Sequence, residues 1–130
     1  MSARLSLMIA AVSGMLAVAL GAFAAHALRS QLSERYYDIW QTAVQYQMFH
    51  TLALLAVGIM LERHSRLSLR LAAWLFTGGM LLFCGSLYML AFTGITTLGM
   101  ITPLGGGLFL AGWLMLALAV FRAPEKLNDC

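Results

Sequence analysis

From Leu71 to Phe121 the chain carries no Lys, Arg, Asp or Glu. As one straight helix this stretch would run roughly 75 Å, more than twice the thickness of a hydrocarbon core about 30 Å deep. It must therefore fold back on itself. Glycine and β-branched residues cluster at Thr93-Gly94-Ile95-Thr96-Thr97, and Thr102-Pro103 follows as a second breaker. Thr102 suits an N-cap, and Pro103 suits the first helical position, where its missing N–H costs nothing. Leu5 to Leu28 and Ile39 to Leu61 are also free of charged residues. Four spans are thus expected, at about 5–28, 39–61, 71–92 and 103–121, with Gly94 to Ile101 as an apolar connection in the interface. The expected fold is all-α: an integral membrane four-helix bundle in a single domain, residues 1–130.

Composition agrees with this reading. Hydrophobic residues make up 62% of the chain and charged residues 10%, against roughly 45–50% and about 25% in soluble domains. A soluble enzyme and a disordered chain are both excluded. The net charge of +3 comes from Lys and Arg scattered along the sequence, which forms no nucleic-acid footprint. These charges instead set topology. Arg4, Arg63, Arg66, Arg70, Arg122 and Lys126 fall on one side of the spans, and only Arg29 and Arg35 on the other. By the positive-inside rule both termini are expected in the cytoplasm of a bacterium, with the chain in its cytoplasmic (inner) membrane. Ala25-His26-Ala27 after the first apolar run resembles a secretory cleavage site. That run, however, exceeds the about 7–15 residues of a signal core, so the first span is expected to be retained.

Small residues at helical spacing, Ala10, Gly14, Ala17, Gly21 and Ala25, form a stripe along the first span. Gly85 in the third span and Gly105 and Gly106 in the fourth extend the same feature. Such stripes let membrane helices approach closely. They fit packing within the bundle, and equally a homo-oligomer seam.

The second span is unusual in being polar at its start. Glu34, Asp38, Gln41 and Gln45 line one face, Thr42, Tyr46 and His50 a second, and Ser33 is placed as an N-cap. Two polar faces cannot both meet lipid, where each unsatisfied group costs several kcal/mol. His26, Ser86, Tyr88 and Thr102 fall at similar depth in the other spans. The expectation is one polar layer open toward the non-cytoplasmic face, with His26, Tyr46, Gln47, His50, Ser86, Tyr88 and Thr102 as candidate ligand-binding residues. Ionisable residues inside a membrane are functional candidates by default, and here only His26 and His50 qualify. The plainer reading is that each histidine donates a ring N–H to a neighbour and locks two helices together. The functional readings are a pocket for a lipid headgroup, small polar or anionic ligand, using the positive helix end at Thr102-Pro103, and a bis-histidine haem site.

Other chemistry lacks its parts. No carboxylate lies within a span to build a proton relay, and two histidines fall short of a hydrolytic metal site. Cys84 sits in an apolar run without a base, Cys130 lies at the terminus, and the pair forms no disulfide framework. No catalytic residue, metal or cofactor is expected. His64 reads as a solvated loop residue. Trp40, Trp74 and Trp113 are candidate interface anchors, with Trp113 placed too deep to fit well.

Four ordered segments also carry a resemblance: Gly21-Ala22-Phe23-Ala24-Ala25-His26-Ala27-Leu28; Thr42 to His50 with Tyr46-Gln47 and Phe49-His50; Leu82-Phe83-Cys84-Gly85-Ser86-Leu87-Tyr88; and Ile101-Thr102-Pro103-Leu104-Gly105-Gly106 running to Gly112-Trp113. Over Leu5 to Phe121 the chain resembles domain-of-unknown-function family 423, which includes the YgdD-like inner-membrane proteins and the transmembrane protein 256 family. Two positions depart from its pattern: Ala24 where glycine is usual, and Cys84 where serine is common. The resemblance implies a small four-helix membrane protein and supplies no reaction or substrate. The functional expectation is a non-enzymatic binding or accessory protein in contact with membrane lipid. A small oligomeric transporter or channel-like component is the alternative, and would need an inward polar route past Thr77 and Gly78. A haem-binding electron carrier is the third reading.

Overall fold

The computed structural model describes residues 1–123; Lys126 and Cys130 lie outside the described residues. Four helices are long and apolar enough to cross a membrane: Ala3–Leu28, Glu34–Arg63, Leu67–Thr93 and Thr96–Phe121. The first three begin before their uncharged stretches, at Ala3, Glu34 and Leu67, and the fourth lies wholly within the uncharged run that ends at Phe121. The Ser33 hydroxyl accepts the Tyr36 N–H at 3.3 Å and starts the second helix as an N-cap. Gly94, at φ 72°, closes the third helix with its N–H on the Leu90 carbonyl at 2.8 Å. That left-handed conformation is open to glycine without steric penalty.

Thr102 is not an N-cap. A tight 3₁₀ turn, Thr96–Met100, feeds almost directly into the α-helix Thr102–Phe121, so Ile101 holds the cap position in helical conformation with no side-chain bond. The N–H groups of Leu104 and Gly105 both donate to the Ile101 carbonyl, at 3.1 and 3.4 Å. Pro103 has no N–H to offer. Little unsatisfied backbone remains there for an anion.

Two turns widen to π geometry, Ala24–Leu28 in the first helix and Met80–Cys84 in the third. In the former, the Arg29 N–H reaches the Ala24 carbonyl at 3.0 Å. Here the small-residue stripe ends on Ala24, which is fully buried, while Ala25 is exposed.

The extensive helix contacts run between sequence neighbours, first on second, second on third and third on fourth. The helices thus form a row, with the second and third most enclosed. Half of the most apolar window of the second helix is buried, 50%, against 17% in the first and 22% in the fourth. A Cβ on Gly21 would sit 3.4 Å from Val44, and one on Gly58 would press on Leu7. These contacts fix an antiparallel first pair. The last pair interlocks more tightly, since Gly79 receives the Phe109 ring, Gly112 the Phe76 ring, and Gly105 lies against the Phe83 backbone. Gly14 makes an ordinary contact with Thr51, and Gly106 only a loose one with Phe83. Gly85 has nothing within 4 Å of its would-be side chain, so it is no packing residue. Leu52, Met15, Leu81 and Leu110 are among the large apolar side chains left exposed, as an acyl-chain environment permits.

Candidate functional site

In a row of helices the backbones of alternate helices stand apart, and grooves form where only side chains bridge them. One groove lies between the second and fourth helices over the third, with a volume of about 790 Å³. Its walls are mostly aromatic: Tyr46, Phe49, Phe83, Phe109 and Trp113. Glycines 106 and 107 keep the fourth helix thin on this side, and Gln45 and Pro103 stand toward the end where the fourth helix begins.

His50 sits on its floor, 4% exposed. Its ring stacks on Phe109 with centroids 3.6 Å apart and planes 11° from parallel. Nδ1 lies 2.8 Å from the Tyr46 carbonyl one turn earlier, and the Trp113 indole N–H donates to Nε2 at 3.1 Å. A carbonyl only accepts and an indole only donates. The ring therefore carries its hydrogen on Nδ1 and presents Nε2 as an acceptor. Both nitrogens are occupied by protein, which is the helix-locking arrangement rather than an open ligand position. Trp113 is no interface anchor; its depth in the fourth helix is what brings it level with His50.

A second groove, about 430 Å³, opens on the other face between the first and third helices. Its polar floor is a hydrogen-bonded chain. Tyr88 OH donates to Gln47 Oε1 at 2.7 Å, and Gln47 Nε2 donates to the Ser13 carbonyl at 3.1 Å. The hydroxyls of Ser13 and Thr51 meet at 2.7 Å, and Thr51 reaches Met80 Sδ at 3.6 Å. With Ser13 donating to Thr51 and Thr51 to the thioether, every donor in the chain is used. It ends on a sulfur and leads nowhere, so it joins helices and relays nothing. Among the described residues no buried side-chain polar atom is left without a partner.

The single outer polar layer is corrected by this placement. Gln47 and His50 fall near the middle of the second helix, where their partners Ser13 and Trp113 also lie, while Ser86 and Thr102 pair at a helix end. The candidate residues separate into groups. Tyr46 and His50 share the aromatic groove; Gln47 and Tyr88 belong to the opposite face. Ser86 and Thr102 pair with each other, hydroxyl oxygens 2.7 Å apart, and pin the start of the fourth helix to the third. His26 is exposed on the widened turn of the first helix and lines neither groove, so the two histidines do not converge as axial ligands would. Trp40 is buried, not interfacial, and donates to the Leu20 carbonyl at 3.1 Å. Gln45, Phe49, Phe83, Phe109 and Trp113 line the groove without having been binding candidates from sequence, and the signal available was the unusual depth of Trp113. Among the described residues no cluster of three His, Cys, Asp or Glu could hold a metal ion. On the inward route, Thr77 returns its hydroxyl to the Ala73 carbonyl at 2.8 Å, and Gly78 faces Leu108.

Residues 20–106 match the family described as a protein of unknown function, DUF423. A UPF0382 membrane protein of Staphylococcus aureus (strain bovine RF122 / ET3-1) is 44% identical over 119 residues, spanning 92% of this chain and 97% of its own length. The UPF0382 membrane protein YwdK of Bacillus subtilis (strain 168) is 41% identical over 120 residues, spanning 92% and 98%. No solved structure matches the chain.

Proposed function

The chain belongs to the DUF423 family of membrane proteins, and from that premise we propose that it is a non-enzymatic binding or accessory protein whose aromatic groove holds a largely apolar molecule. The observation that carries this reading is the groove itself: about 790 Å³, walled by five aromatic rings, with Gln45 and the Tyr46 hydroxyl as the polar groups not drawn into the helix-locking bonds. Binding sites of this size are mainly apolar, with a few polar groups that orient the ligand. A membrane lipid with one hydrogen-bonding group near Gln45 and its body along Phe49, Phe109 and Trp113 fits that description. The polar or anionic small ligand of the sequence reading fits less well, since His50 is already engaged and the helix start at Thr102 offers few free N–H groups. The Thr77 hydroxyl is turned back onto its own helix in a groove walled mainly by hydrocarbon, which supports binding over transport. We place both termini in the cytoplasm of a bacterium, in its inner membrane, on the strength of the arginine asymmetry.

Gly107 provides the test. Nothing lies within 4 Å of a Cβ there, and the residue lines the groove. Gly107→Leu should fill the groove without disturbing packing and should raise helix propensity. Native mass spectrometry of protein released from membranes is expected to show a co-purifying lipid-sized mass on the wild type and at least tenfold less on the variant, and it reports subunit number together with bound mass. Equal retention by both proteins would remove the groove from the proposal.

A further inference from the structure

Where the third helix begins and the fourth ends, a cleft of about 490 Å³ separates them. Arg66 and Arg122 stand in it with Ser68, and Leu71, Met115 and Leu118 form its apolar wall. Arg66 spends one guanidinium N–H on the Ala119 carbonyl at 3.1 Å, which fixes its side chain across the cleft and leaves the rest of a five-donor fork. The positive start of the third helix, with Ser68 in its first turn, and the negative end of the fourth meet here and offset each other, so the charge of the cleft is that of its two arginines. Charge bias alone would account for arginines anywhere in this connection. It does not account for two of them sharing a cleft whose remaining wall is hydrocarbon.

We propose that this cleft is a binding site for an anionic phospholipid. The phosphate sits between Arg66 and Arg122 with the Ser68 hydroxyl as a further donor, and an acyl chain lies along Leu71, Met115 and Leu118. The two chemistries meet at the depth where helices leave the hydrocarbon, as in basic inter-helix pockets for acidic lipids. A free phosphate would use the cations and leave the apolar wall without purpose.

The full-length protein in detergent, titrated separately with phosphatidylglycerol and phosphatidylcholine, tests this by native mass spectrometry. The wild type should retain phosphatidylglycerol at least about fivefold better, in line with the contribution of a basic residue near an anionic surface. Arg122→Gln should remove most of that preference and Arg122→Lys should keep part of it. Arg70→Gln, which deletes a charge at the same end but outside the cleft, should leave the preference intact. Reading the same preference in the Gly107→Leu background keeps the aromatic groove out of the measurement. Equal retention of the two lipids would overturn the proposal, as would a loss with Arg70→Gln equal to that with Arg122→Gln. Displacement of phosphatidylglycerol by inorganic phosphate would overturn the lipid assignment.

Discussion

Between the third and fourth helices, contact is made by shape: glycines at 79, 105 and 112 receive aromatic rings or backbone, and one hydroxyl pair at Ser86–Thr102 pins the start of the fourth helix. Between the first helix and the rest, contact is made by hydrogen bonds, from Trp40 to Leu20, from Gln47 to Ser13, and between Ser13 and Thr51. The difference follows from what lipid withholds. Apolar side chains gain no hydrophobic advantage by leaving acyl chains for one another, so helices associate through close packing or through polar groups that need partners. The last pair relies on the first means; the first helix adds the second to its own close contacts at Gly21 and Gly58, and it is the least enclosed of the four.

Three substitutions would sharpen or break this contrast. Gly105→Ala should have the largest effect, because the new methyl would land on the Phe83 backbone, which cannot swing aside as a side chain can. A cost of about 3 kcal/mol is expected, at the upper end of overpacking effects, read as loss of the folded protein in a thermal or denaturant unfolding series. Gln47→Leu should cost about 1–2 kcal/mol by stripping the Tyr88 hydroxyl of its acceptor and the Ser13 carbonyl of its donor. Its signature is local: amide exchange should rise in the first helix and stay low in the fourth. Gly85→Ala should be the mildest, neutral or stabilising by up to about 1 kcal/mol, since the added methyl meets nothing and alanine favours the helix. If Gly85→Ala proved as damaging as Gly105→Ala, the glycines would be acting through something other than the seams described.

Much of the fold is legible without coordinates. The uncharged stretches mark the helices, Ser33 caps the second, and Gly94 ends the third. The polar residues of the second helix also announce that it cannot turn both of its polar faces to lipid. The π turns are not legible, because a widened turn depends on how neighbouring helices draw on the backbone and not on a residue type. Nor is the parting of Gln47 from His50. Three positions apart on one helix, they look like one polar cluster, yet one turns to the first and third helices and the other to the fourth. The N-cap role read for Thr102 passes to Ile101 because the preceding 3₁₀ turn runs straight into the helix, a continuity that Thr-Pro spacing cannot reveal.

Sequence by itself determined that this chain is helical and crosses a membrane four times in length, since uninterrupted apolar backbone in lipid must satisfy its own hydrogen bonds. Only the tertiary structure decided which polar groups meet. A side chain in hydrocarbon takes whichever partner the neighbouring helix brings within reach, and that choice put Trp113 on His50, Tyr88 on Gln47, and Arg66 on the end of the fourth helix.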